Sequence, residues 1–132
     1  MELADEIGGR VDFIGRQDRA GMERELAGAA MVLMPSRYDE FSPYSALEAM
    51  AAGVPVVASK LGGLPELIGA DRCVAPNDEH ALAARMRILW TDGERRTGDG
   101  DALLERAREN HPEERYTRRL LDLYERVRSS RY

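Results

Sequence analysis

At 132 residues, with 43% hydrophobic and 33% charged side chains, the chain has the size of one domain and the composition of a folded one. Folding at this length hides roughly 70% of the unfolded surface, enough for a single core. The apolar runs Ala27–Met34 and Val54–Ala58 fall far short of the ~18 residues a membrane span needs, and a net charge of −5 argues against nucleic-acid binding by bulk electrostatics.

The acidic start Met1–Glu6 is unlike a signal peptide, and the single Cys73 excludes an internal disulfide framework. Both point to the cytoplasm, with a mildly basic tail after Leu104 that would allow a peripheral place at the inner membrane face. His80 and His111 have no metal-ligand spacing with Cys73 or each other, so no metal is expected.

In chain order, short apolar runs alternate with helical patterns, the signature of a parallel α/β layer fold. Val11–Ile14 reads as a strand stopped by Gly15. Asp18–Ala29 reads as a helix, with Met22 and Leu26 one turn apart. Met31–Met34 is a continuous apolar strand, as expected when helices cover both faces. Pro43–Ala52 is a helix ended by Gly53 and Pro55, and Pro55–Ala58 is the next buried strand. Leu64–Ile68 is a short helix and Arg72–Ala75 a last, weak strand. Glu79–Trp90 is a helix with Leu82, Met86, Leu89 and Trp90 on one stripe. Asp92–Gly100 reads as a loop. Helices near Asp101–Glu109 and Glu113–Arg128 follow, the second with Tyr116, Leu120, Leu123, Tyr124 and Val127 on one face.

Ligands of parallel sheets bind outside the carboxyl ends of the strands, which selects Gly15–Gln17, Pro35–Tyr44 and Ser59–Glu66. In the middle segment Ser42 is expected to cap a helix whose first position is Pro43, leaving the N–H groups of Tyr44 and Ser45 open to an anion, phosphate above all. Glu48 follows one turn after Tyr44, where a carboxylate accepts hydrogen bonds from hydroxyls such as those of a ribose. Glu40 is a second carboxylate at the same mouth. In the third segment Gly63 caps a helix whose first turn holds Pro65 and Glu66, and the paired Gly62 and Gly63 permit close backbone approach by a ligand. These residues describe a site for a phosphorylated, hydroxyl-rich ligand.

Pro35–Ser36, the run from Glu40 through Glu48-Ala-Met-Ala-Ala-Gly53-Val-Pro55-Val-Val, and Gly62-Gly63-Leu-Pro-Glu66 occur in an order that resembles the retaining glycosyltransferases of family four. These are two-domain enzymes of the glycosyltransferase-B architecture. The resemblance implies a Rossmann-like parallel sheet flanked by helices, and a donor site for a nucleotide-diphosphate sugar. It implies that Glu40 is catalytic, facing the transferred sugar. Glu48 would meet the ribose and the backbone of Tyr44 and Ser45 the diphosphate, with Ser42, Gly62 and Gly63 completing the donor set. Pro43 stands where many members have glycine and removes one donor N–H.

The resemblance also implies that residues 1–132 are a single partial domain, the donor-binding C-terminal half, without the acceptor domain and without its own first strand and loop bearing an Arg and a Lys for the diphosphate. Arg16, Arg37 and Lys60 at the strand ends are the local substitutes. A sheet of order 3-2-1-4-5-6 lacking its first two strands would leave a gap between Val11–Ile14 and Met31–Met34. Either those two segments pair directly or another chain, a second copy or a partner, covers the exposed edges. The acceptor would be a glycan, a lipid or a small molecule. The competing readings are a binding module for nucleotide sugars without turnover, a structural remnant, and, last, a hydrolase using Glu40 and Glu48 as a carboxylate pair.

Overall fold

The structure is a computed structural model that describes residues 11–110, 118, 121–126 and 129. Three parallel strands, β1 (Val32–Met34), β2 (Val56–Ser59) and β3 (Cys73–Val74), form a sheet in the order β1-β2-β3. The pairings run from Val32 with Val56 to Met34 with Ala58, and from Ala58 with Cys73 to Ser59 with Val74. Helices α1 (Arg19–Gly28), α2 (Tyr44–Ala51), α3 (Leu64–Ile68), α4 (Glu79–Thr91) and α5 (Gly93–Asn110) surround it, and a single 3-10 turn (Ala70–Arg72) leads into β3. The expected α/β layer fold is the observed one.

The central strand β2 is buried at all four positions, because β-branched valines and Ala58 meet helices on both faces. Around it Met34, Ala46, Met50, Leu64, Ile68 and Leu103 close a single core. Ala46, Ala49 and Met50, at i, i+3 and i+4, place one apolar stripe of α2 inward, while Glu48 stays on the exposed side. α2 packs against α5 closely enough that a Cβ on Gly100 would collide with the Gly53 carbonyl.

Several expectations are corrected here. Val11–Ile14 forms no strand, and among the described residues it does not pair beside β1. Its apolar side chains are open to solvent, Phe13 at 73%, because no described strand offers the ladder that would hold them. Among the described residues no strand pairs with the outer edge of β1, and Leu33 is partly exposed rather than covered on both faces.

Gly93–Gly100 is helix, not loop, and Asp92 is the cap between α4 and α5. Asp92 Oδ1 accepts the Arg95 N–H at 2.9 Å and so starts α5, and the glycine at position 100 serves close helix packing rather than a turn. On α4, Leu89 is fully buried but Trp90 turns outward, 70% exposed. The expected helix Glu113–Arg128 lies largely outside the described residues. Positions 121–126 within it are helical, with Leu123 and Tyr124 exposed. No described helix is long and apolar enough to cross a membrane.

Cys73 is free and half-buried, and its Sγ–H points to the Gly69 carbonyl at 3.7 Å. Burial pushes its thiol above the ordinary range and the Asp71 carboxylate adds to that, against the smaller opposing pull of Lys60 and Arg72. A protonated thiol is a weak nucleophile.

Candidate functional site

β1 runs out at Pro35, and the chain reaches α2 through the loop 35–43 at the carboxyl edge of the sheet. Two anchors hold this loop. The Gly62 N–H donates to Asp39 Oδ1 at 3.0 Å, and the Gly63 N–H donates to the Glu40 carbonyl at 2.7 Å. The glycine pair is required by this contact. A Cβ at Gly62 would collide with the Glu40 backbone and one at Gly63 with the Phe41 carbonyl, and Gly62 has φ +52° besides. The close backbone approach expected of Gly62 and Gly63 is thus made by the chain's own loop. Asp39 was missed in the sequence, where nothing separates a strapping Asx from an ordinary loop charge.

The Glu40 side chain, half-buried, accepts a hydrogen bond from the Ser36 hydroxyl, so both the backbone and the carboxylate of this residue are fixed. The Pro-Ser pair that ends β1 therefore positions Glu40.

Ser42 does not cap α2. Pro43 is the N-cap, without a side-chain hydrogen bond, and Tyr44 rather than Pro43 is the first helical residue. The reason is that Pro43 holds ψ 126°, an extended geometry suited to a cap position, while its carbonyl already accepts from Ala46 and Leu47. The consequence favours anion binding. The N–H groups of Tyr44 and Ser45 carry no hydrogen bond among the described residues, and both side chains are exposed, so the positive end of α2 is open.

Glu48 lines a cleft of about 680 Å³ between α1 and α2, shared with Gln17, Arg19, Met22, Leu26 and Ala52. Gln17 comes from the expected mouth segment Gly15–Gln17; its neighbour Arg16 is exposed. Lys60 is exposed past the end of β2, its N–H donating to the Val74 carbonyl at 2.7 Å. Arg37 borders a different cavity, with Ser59 and the turn Asn77–Glu79. The structure therefore brings Glu40, Gly62 and Gly63 together and opens the α2 terminus beside them, but distributes the three candidate cations over separate places. Among the described residues no cluster of His, Cys, Asp and Glu could hold a metal ion.

The family described as "Glycosyl transferases group 1" matches residues 1–92. An MMP alpha-(1->4)-mannosyltransferase of Mycolicibacterium hassiacum is 46% identical over 80 residues, covering 56% of this chain and 19% of the relative. A D-inositol 3-phosphate glycosyltransferase of Mycobacterium leprae is 43% identical over 67 residues, 49% of this chain and 15% of the relative. The chain thus matches about a fifth or less of the length of these relatives. Among solved structures, a sucrose-phosphate synthase from Thermosynechococcus elongatus superposes with a TM-score of 0.86 at 29% identity, over 98% of this chain and 33% of that one.

Proposed function

The chain belongs to the glycosyl transferases group 1 family, and on that premise we propose that it is the donor-binding part of a retaining glycosyltransferase. In this reading it moves a hexose from a nucleotide-diphosphate sugar to a glycan, lipid or small-molecule acceptor. The observation that carries the reading is the uncapped start of α2, with the open N–H groups of Tyr44 and Ser45 at the carboxyl edge of the sheet and a fixed Glu40 just before them. Breaking the bond between sugar and diphosphate builds negative charge on the leaving group. Two backbone N–H groups and a helix dipole stabilise that charge without reorganising, so the reading needs no metal.

In the same reading Glu48 accepts from the ribose hydroxyls in its cleft, and Glu40 faces the sugar being transferred. Ser42, Gly62 and Gly63 shape the loop around the donor. Arg16, Arg37 and Lys60 are the candidates for longer-range support of the phosphates. The name of one relative, a mannosyltransferase, supports a hexosyl donor.

A second reading, a nucleotide-sugar binding module without turnover, is favoured by the outer edge of β1, which no other described strand covers.

Calorimetric titration with UDP, GDP and ADP and their glucose and mannose conjugates tests donor binding. Saturable binding of one nucleotide is expected, weakened by about tenfold or more in Glu48→Ala, the scale of a lost charge-assisted hydrogen bond. Absence of heat with every nucleotide would overturn the donor-site reading.

A further inference from the structure

Glu40 is held from three directions. The Ser36 hydroxyl donates to its carboxylate, the Gly63 N–H donates to its carbonyl at 2.7 Å, and one residue earlier Asp39 Oδ1 accepts the Gly62 N–H at 3.0 Å. The Ser36 bond lies within the loop. The Asp39 bond spans 23 residues, and with the Gly63 bond it ties the loop to the segment between β2 and α3.

Burial does not hold this loop. Tyr38 and Phe41, which flank Asp39 and Glu40, are 83% and 89% exposed, so neither ring anchors it in the core. Its shape therefore depends on its hydrogen bonds. Of the two that reach the segment after β2, only the one to Asp39 uses a side chain, and a carboxylate acceptor makes it charge-assisted. Gly62 and Gly63 make room for it, since a Cβ at either position would push the loop away.

One bond at the Glu40 carbonyl fixes a point of the loop. A second bond, one residue away, fixes its direction as well, and so fixes where the Glu40 side chain leaves the backbone. A misplacement of about 1 Å in a reacting group can cost about a hundredfold in rate, so this direction matters. A direct role for Asp39 at the phosphates is disfavoured, because a carboxylate repels a diphosphate.

We propose that Asp39 is the positioning residue for Glu40, acting through the Gly62 N–H and not through contact with the donor. The effect on sugar recognition rests on the donor-site reading above; the hold on the loop does not.

The test compares wild type with Asp39→Ala and Asp39→Asn, the second keeping an oxygen that can accept from Gly62. The first readout is amide hydrogen exchange. In Asp39→Ala the N–H groups of Gly62 and Gly63 are expected to exchange about tenfold faster, with Val56–Ser59 of β2 unchanged as the control for folding. The second is calorimetric affinity for UDP, GDP and ADP and for their glucose and mannose conjugates. Asp39→Ala is expected to weaken the conjugate about tenfold and leave the bare nucleotide unchanged, and Asp39→Asn to restore both readouts. No nucleotide binding in wild type would sink the donor-site reading, and the exchange rates would still decide whether Asp39 holds the loop. Unchanged exchange at Gly63 in Asp39→Ala would overturn the proposal. So would equal weakening of nucleotide and conjugate, or an Asp39→Asn variant as impaired as Asp39→Ala.

Discussion

Gly62→Ala is expected to destabilise the fold by about 2–5 kcal/mol and to weaken nucleotide binding together with it. Two separate costs combine. An alanine at φ +52° is strained by about 1–2 kcal/mol, and its Cβ would collide with the Glu40 backbone, an overpacking cost of about 1–3 kcal/mol. The second cost is relieved only if the loop 39–41 lifts away from α3. That movement breaks the bonds from the Gly62 N–H to Asp39 and from the Gly63 N–H to the Glu40 carbonyl, and so displaces Glu40 and the entry to α2. Gly63→Ala separates the effects: its φ of −84° is ordinary, so only the collision with Phe41 remains. Denaturant unfolding and calorimetric titration of both variants check this. Equal stability of wild type and Gly62→Ala would contradict the described packing.

Asp99→Ala is expected to cost about 3–5 kcal/mol. Asp99 Oδ1 pairs with Arg72 at 2.8 Å and with Arg85 at 3.7 Å, and all three side chains are mostly buried, with exposures of 11–17%. One carboxylate from α5 thus holds a guanidinium from the 3-10 turn and another from α4, tying three elements at one point. Removing it leaves two buried cations facing each other, with only the Ile68 carbonyl and the exposed Asp71 to receive Arg72. Asp71→Ala is the contrast. Its side chain is 73% exposed, so that pair contributes about 0–1 kcal/mol. Chemical denaturation of the two variants measures the difference, and equal effects would show that the cluster is not a buried tie.

The parts of the fold legible in the sequence are those whose local pattern and tertiary role agree. The Val-rich β2, the apolar stripe of α2 and the proline-marked start of α3 read correctly because burial and propensity point the same way. Val11–Ile14 misread because strand formation is a property of a pair, and its pattern carries no information on whether a neighbour exists. Gly93, Gly98 and Gly100 misread as a loop because glycine has two uses, and only the close pass of α5 over Gly53 shows that Gly100 serves the second.

The site divides in the same manner. The order of Pro-Ser, the two glutamates and the glycine pair marked the right loop, since each of these residues lies at a strand's carboxyl end or a helix start. The partners did not show. Strapping by Asp39, the cap at Pro43 instead of Ser42, and the cleft that Gln17 shares with Glu48 all join residues distant in sequence or depend on a cap geometry that differs by one position. The cavity at Arg37, Ser59 and Glu79 gathers residues from three separate loops and has no sequence pattern at all.

The most direct test of the central claim, an anion site at the open start of α2, is an amide-resolved titration of the chain with UDP, GDP and ADP. The N–H resonances of Tyr44 and Ser45 are expected to move most, saturably, with one of the three nucleotides, and with shifts at Glu48 following the same curve. Saturable binding that moves other amides while Tyr44 and Ser45 stay still would contradict the account.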